Sequence, residues 1–99
     1  MFKIGDFSKM SKVTIKALRY YEKEGLIKPS YIDSSNGYRY YDSKQLLDIS
    51  RIISLKQIGL SIEEIKRIMY QNESLRDILQ VKKIELENTI IKYEYELSK

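Results

Sequence analysis

Residues 14–29 read Thr14-Ile15-Lys16-Ala17-Leu18-Arg19-Tyr20-Tyr21-Glu22-Lys23-Glu24-Gly25-Leu26-Ile27-Lys28-Pro29. Thr14 can cap a helix through its hydroxyl. Ile15, Leu18 and Tyr21 then form an inward stripe, and Ala17 is small enough for close approach. Lys16, Arg19, Tyr20 and Lys23 fall at i, i+3, i+4 and i+7, on a different face. Gly25 follows the helical stretch and precedes Leu26-Ile27, a natural left-handed position after a helix end. The segment is therefore a short helix with one apolar face and one face of cations and tyrosine.

The flanking sequence extends the pattern. Upstream, Ile4, Phe7 and Met10 are spaced by three and predict a helix of two turns. The link through Ser11-Lys12-Val13 is tight, with Lys12 at the turn position where glycine often stands. Two short helices so joined make a helix-turn-helix. Downstream, Ser34-Ser35-Asn36-Gly37 signals a hairpin turn, and Tyr38-Arg39-Tyr40-Tyr41 is rich in strand-favouring aromatics. That hairpin would be a wing.

Further helices follow. Asp42-Ser43-Lys44-Gln45 is a plausible cap, with Gln45 reaching back. A third helix is expected from Lys44 to about Ile58, with Leu46, Ile49, Ile52, Ile53 and Leu55 or Lys56 completing the turns, and ending near Gly59. Ser61-Ile62-Glu63-Glu64 fits a capping box and opens a fourth, with Ile62, Ile65, Ile68 and Met69 inward. Ser74-Leu75-Arg76-Asp77 opens a fifth that runs on without a breaker. The expected fold is mainly α: a winged helix-turn-helix with a short β-hairpin wing, an additional helix pair and a long C-terminal coiled-coil helix. The expected division is residues 1–72 for the winged domain and 73–99 for the last helix.

The 99 residues include no cysteine and no histidine. Thiol switches, Cys/His zinc sites, cysteine nucleophiles and Ser–His triads are thereby excluded. The acidic pairs Glu22/Glu24 and Glu63/Glu64 have helix-surface spacing and no partner nucleophile, and no glycine-rich phosphate loop is present. The reading is of a protein that is not an enzyme, with no cofactor and no metal. No apolar run approaches the ~20 residues that span a bilayer. Met1 to Lys12 lacks an apolar signal-peptide core, so a cytoplasmic location without membrane partners is expected. Net charge is +4, from 18 Lys and Arg against 14 Asp and Glu. Lys9 to Lys28 holds six basic and two acidic residues and so carries the whole excess. Such concentration suggests a face for a polyanion; a solvated helix surface with chance clustering is the alternative.

On the first of these readings the second helix is a recognition helix. Lys16 and Arg19 can donate to guanine acceptors or to phosphates, and Tyr20 can donate to phosphate and pack on sugar. Tyr21 fits either that face or the core. Tyr38 and Arg39 follow the turn, where a wing tip meets the DNA backbone or minor groove. Alternate residues of the strand point opposite ways, so a cross-strand aromatic pair can hold the hairpin as well.

The ordered set Thr14 to Glu22, Gly25-Leu26-Ile27-Lys28-Pro29 and Asn36-Gly37-Tyr38-Arg39-Tyr40-Tyr41-Asp42 closely resembles the MerR family of bacterial transcription regulators. Ile58-Gly59-Leu60-Ser61-Ile62-Glu63-Glu64-Ile65 is similar to that family's next segment, so the likeness covers roughly residues 2–70. The nearest look is to the multidrug-responsive branch. The resemblance implies a dimeric winged-helix regulator on double-stranded promoter DNA, bound at a pseudo-palindromic element. It also implies distortion of the DNA between core promoter elements, which realigns an over-long spacer for RNA polymerase. By motif position the implied contacts are Thr14, Lys16, Arg19, Tyr20 and Tyr21 in the helix, Tyr38 and Arg39 in the wing, and Lys56 on a phosphate beyond it.

From Leu75 onward a seam can be written. Leu79, Leu86 and Tyr93 repeat every seven residues; Lys83, Ile90 and Leu97 interleave four later, with Lys83 a polar break. Val81, Ile84, Ile91 and Tyr95 supply a second stripe, as for a helix packed on its own domain. The resemblance implies an antiparallel homodimer contact, with Leu79, Leu86, Ile90, Tyr93 and Leu97 as the dimerisation residues. Family members usually carry an effector domain beyond this helix. The sequence through Lys99 reads either as the DNA-binding portion alone or as a minimal member whose partner supplies sensing. The competing function is an α-helical protein-interaction adaptor without DNA binding.

Overall fold

A computed structural model describes residues 1–98. The elements run β1 (Phe2–Lys3), α1 (Ile4–Ser11), α2 (Ile15–Lys23), β2 (Tyr31–Ile32), β3 (Arg39–Tyr41), α3 (Lys44–Gln57), α4 (Ile62–Tyr70) and α5 (Leu75–Leu97). The chain is a mainly helical winged helix-turn-helix with a long last helix. It divides into two compact units, Met1–Lys66 and a second that begins at Arg67.

In the first unit, the turn between α1 and α2 falls at Lys12, which adopts left-handed φ 60°, ψ 27°. A non-glycine residue there costs on the order of 1–2 kcal/mol. Local bonds offset it: the Ser8 hydroxyl donates to the Val13 carbonyl at 2.6 Å, and the Val13 N–H donates to Ser11 Oγ at 3.3 Å. Thr14 caps α2, its Oγ1 accepting from the Ala17 N–H at 3.1 Å. Helix α2 ends in a Schellman arrangement, with the Leu26 N–H on the Tyr21 carbonyl at 2.8 Å and the Gly25 N–H on the Glu22 carbonyl at 3.0 Å. Gly25 sits at φ 80°, and an added Cβ would come within 3.2 Å of Lys66 Nζ.

The expected hairpin is present, and it is part of a larger sheet. Among the described residues the strands form an antiparallel sheet of order β1-β3-β2. Phe2 pairs with Tyr41 and Lys3 with Tyr40 on one side; Tyr31 pairs with Tyr40 and Ile32 with Arg39 on the other. Strand β1 has no sequence signature, because two residues cannot display a period of two. Its pairing makes β3 the central strand and seals Tyr41, fully buried, against Phe7 of α1. The wing turn spans Asp33 to Tyr38. Asp33 Oδ1 accepts from the Ser35 N–H and hydroxyl at 2.8 and 2.6 Å, the Gly37 N–H donates to the Asp33 carbonyl at 2.7 Å, and Gly37 takes φ 73°.

The core of this unit comprises Phe7, Val13, Leu18, Leu26, Ile27, Tyr41, Ile49, Ile52, Leu55, Leu60 and Ile65. Each aliphatic side chain among them contributes about 1.5–3 kcal/mol by leaving water. Two residues of the expected inward stripes lie outside: Ile15 is 38% and Met10 47% exposed. Ile15 is the first residue of α2 and Met10 lies in the last turn of α1, so each stripe has turned off the core at its end. The caps of α3 and α4 are reciprocal. The Gln45 N–H donates to Asp42 Oδ1 and the Asp42 N–H to Gln45 Oε1, each at 3.0 Å, while Gln45 Nε2 also donates to the Lys28 carbonyl. The Glu64 N–H donates to Ser61 Oγ at 3.1 Å and the Ser61 N–H to Glu64 Oε1 at 2.9 Å.

In the second unit, Arg67 Nε donates to Glu73 Oε2 at 2.6 Å and Asn72 takes φ 53°. Helix α5 opens on Ser74, whose hydroxyl accepts from the Asp77 N–H at 3.4 Å. Ile78 is buried, whereas the side chains from Lys83 to Leu97 are exposed.

Candidate nucleic-acid interface

The basic face of α2 is solvent-facing. Lys16, Arg19, Tyr20 and Lys23 are all exposed, and Tyr20 meets Tyr21 edge-on at 5.8 Å between ring centroids. Tyr21 is half-buried, so it serves both the packing and the concavity above it. That concavity, about 380 Å³, is lined by Thr14, Lys16, Ala17, Tyr20, Tyr21, Lys56 and Ile62. The fold thus gathers Lys56 of α3 beside four of the five helix residues singled out in sequence. Two ammonium groups and two phenols around one hollow can donate to phosphate oxygens and pack on sugar.

Arg19 lies elsewhere. With Glu22, Lys23 and Arg39 it lines a second open cleft, of about 630 Å³. Arg39 Nε donates to both carboxylate oxygens of Glu22, at 2.9 and 2.8 Å. This hydrogen bond, and then the Glu22 charge, raises the pKa of the guanidinium. Beneath the pair, burial pushes the Tyr41 phenol up, with the Glu22 charge adding to it. Glu22 escaped the sequence reading because its partner is 17 residues away and on another element.

Tyr38 is 53% exposed at the wing, with the Lys3 ammonium 5.3 Å from its ring centroid. Lys3 is a second residue missed in sequence, since the strand that carries it is unsigned. The cross-strand aromatic pair exists, but between Tyr31 and Tyr40, with centroids 5.8 Å apart. Tyr38 is left to solvent and to Lys3. The basic helix is thus flanked by a wing, with Lys16 and Lys56 around one hollow, Arg19, Lys23 and the Glu22-tied Arg39 around the other, and Lys3 beside Tyr38.

On α5, the five seam residues stand out in water: Leu79 at 39%, Ile90 at 47% and Leu86, Tyr93 and Leu97 at 60% or more. The second stripe is exposed too, at Val81, Ile84, Ile91 and Tyr95. Among the described residues, no cluster of acidic side chains could hold a metal ion, and no helix is long and apolar enough to cross a membrane.

The chain is similar to known proteins in sequence and in fold. The family model "MerR HTH family regulatory protein" matches residues 2–72. The Multidrug-efflux transporter 1 regulator of Bacillus subtilis is 50% identical over 66 residues, covering 67% of this chain and 24% of the regulator. The chain therefore spans about a quarter of that relative's length. The chain in the cryo-EM structure of the EcmrR–DNA complex in EcmrR-RPo superposes with a TM-score of 0.78 at 42% identity, over 92% of this chain and 34% of that one. MtaN, the N-terminus of the Bacillus subtilis multidrug transporter activator, superposes with a TM-score of 0.72 at 25% identity, over 99% of this chain and 92% of its own. With its winged helix-turn-helix built as the sequence motifs require and residues 2–72 matched by the family model, the chain belongs to the MerR family of helix-turn-helix transcriptional regulators.

Proposed function

We propose that this chain binds a pseudo-palindromic promoter element as a homodimer and regulates transcription by distorting the DNA between its half-sites, within reach of RNA polymerase. Residues 1–72 serve as the DNA-binding domain and residues 73–99 as the dimerisation helix. Thr14, Lys16, Arg19, Tyr20 and Tyr21 face the major groove and its phosphates, Tyr38 and Arg39 the backbone beside it, and Lys56 a phosphate. Leu79, Leu86, Ile90, Tyr93 and Leu97 meet the second copy. The protein acts on bacterial promoter DNA, hence in the cytoplasm, and performs no catalysis.

The observation that carries this reading is the hollow that Thr14, Lys16, Tyr20 and Tyr21 of the one strongly basic segment share with Lys56 of α3. An adaptor gains nothing from concentrating its cations there. The DNA complex of EcmrR, at 42% identity, supports the same use of the fold. Distortion follows if an antiparallel helix pair sets the head spacing: successive major grooves of relaxed B-DNA lie ~34 Å apart, so any mismatch falls on the DNA. Bending costs on the order of 1–6 kcal/mol and depends on the steps bent.

Titration of the protein onto a labelled duplex of random sequence, at rising salt, separates this function from an adaptor. Binding should weaken linearly on a log–log plot as counterions are released. Absence of binding at low salt would leave the adaptor.

A further inference from the structure

Glu22 is an anomaly on this face. It lies in the last turn of α2 (Ile15–Lys23), where the helix dipole disfavours a carboxylate. It also lines the cleft with Arg19 and Lys23, where a bare carboxylate would repel phosphate. Both effects oppose it, so a third must offset them. The structure supplies one: both Glu22 oxygens accept from Arg39 Nε, and only 21% of the Glu22 side chain remains exposed.

The wing needs such a tether. Strand β2 has two residues, both exposed, and joins β3 through the pairs Tyr31–Tyr40 and Ile32–Arg39, with the Ser30 and Asp33 amides bonding across at either end. A hairpin of that size is marginal by itself. Arg39 is the β3 residue nearest the wing turn, so an anchor at its side chain holds the strand where the turn begins. With Nε committed to Glu22, the guanidinium plane is fixed and its Nη groups remain as donors for a phosphate.

Resting on the DNA-binding reading above, we propose that Glu22 is a positioning residue for DNA recognition: through Arg39 it clamps the wing to the recognition helix, so that both DNA-facing elements dock as one rigid unit. Glu22 itself touches no DNA. Its work is to order Arg39 before binding, which removes that ordering cost from the complex.

Charge and positioning make opposite predictions for Glu22→Gln. By charge alone, loss of an anion from a DNA-facing surface tightens binding. By positioning, binding to the tightest duplex recovered from a random pool becomes about tenfold weaker, a coupling of ordinary size for a contacting pair. Arg39→Gln should cost more, because it also removes the phosphate donors, and its cost should shrink by about that same tenfold when Glu22 is already Gln. Arg39→Lys, which keeps the charge and loses the planar guanidinium, should weaken binding about as much as Glu22→Gln does. Glu22→Gln binding as tightly as wild type or tighter, singles whose effects multiply, or an Arg39→Lys that binds normally would each overturn the proposal. The clamp is also read without DNA, by NMR of the free protein. The Arg39 Nε–H should exchange slowly with water in wild type and fast in Glu22→Gln, together with the Ser30 and Asp33 amides that bond to Tyr40 and Tyr38. Fast exchange of Arg39 Nε–H in wild type overturns the clamp itself, whereas a protected signal in a protein that binds no duplex faults the DNA reading alone.

Discussion

Phe7 and Tyr41 stack with ring centroids 4.6 Å apart and planes 17° from parallel. The stack joins the first helix of the helix-turn-helix to the central strand of the wing sheet, so both halves of the domain depend on it. Both rings are fully buried, and the Tyr41 hydroxyl has no hydrogen-bond partner among the described residues. An unpaired buried hydroxyl costs about 1–3 kcal/mol in desolvation. Tyr41→Phe should therefore keep the stack and leave stability unchanged or higher, whereas Tyr41→Ala should lose about 3–5 kcal/mol. Urea unfolding measures both; a clear loss of stability in Tyr41→Phe would contradict the assignment.

Asp42 is one source of acid sensitivity, at the join between wing and α3. Its Oδ2 accepts from the Ser30 hydroxyl at 2.8 Å and its Oδ1 from the Gln45 N–H at 3.0 Å. The Ser30 bond first, then the Gln45 N–H, holds the carboxyl below its ordinary 3.8. A folded-state value below the unfolded one contributes stability that is present above the unfolded value and lost as pH falls through the folded one. Melting temperature should thus fall below about pH 4, and more gently in Asp42→Asn, which carries no titrating group at this site. Parallel wild-type and Asp42→Asn curves would remove Asp42 from the account.

Lys16 and Lys56 line one hollow, and their roles are expected to differ. Lys16 lies in the first turn of α2, the end that reaches base edges. Lys16→Ala should cost about 1–3 kcal/mol and relax preference at one position of each half-site. Lys56→Ala should weaken all sequences alike and reduce the salt slope by about one. Equal losses for Lys16→Ala on specific and random DNA would remove it as a base reader.

The exposed seam of α5 predicts self-association. Leu86→Asp with Ile90→Asp replaces two side chains that stand in water, so the monomer fold should survive. A dimer built on that seam should dissociate, and operator affinity should fall by orders of magnitude because two half-sites no longer act together. Sedimentation equilibrium decides this; an unchanged dimer would assign the seam to another use.

The helix-turn-helix was legible because its signals are local. Thr14 caps within three residues, Gly25 closes a Schellman end, and Lys12 stands at the turn whether or not it is glycine. The reciprocal caps at Asp42–Gln45 and Ser61–Glu64 are equally short-range. What escaped was non-local or too short to carry a period. Strand β1 is two residues long, and Lys3 reaches Tyr38 only because that strand pairs with β3. The Glu22–Arg39 pair joins α2 to β3 across 17 residues of sequence. Apolar spacing alone also overstated burial at Ile15 and Met10, because a helix stripe does not reveal where the core stops.

The central claim is that α2 and the wing read DNA sequence from two copies held together. Selection of bound duplexes from a random pool by the intact chain, followed by sequencing, measures it directly. The account predicts enrichment of one motif whose two halves are inverted copies at a fixed separation, with Lys16→Ala losing preference at one position in each half. A pool with no enriched sequence, or a single motif without its inverted partner, would contradict it.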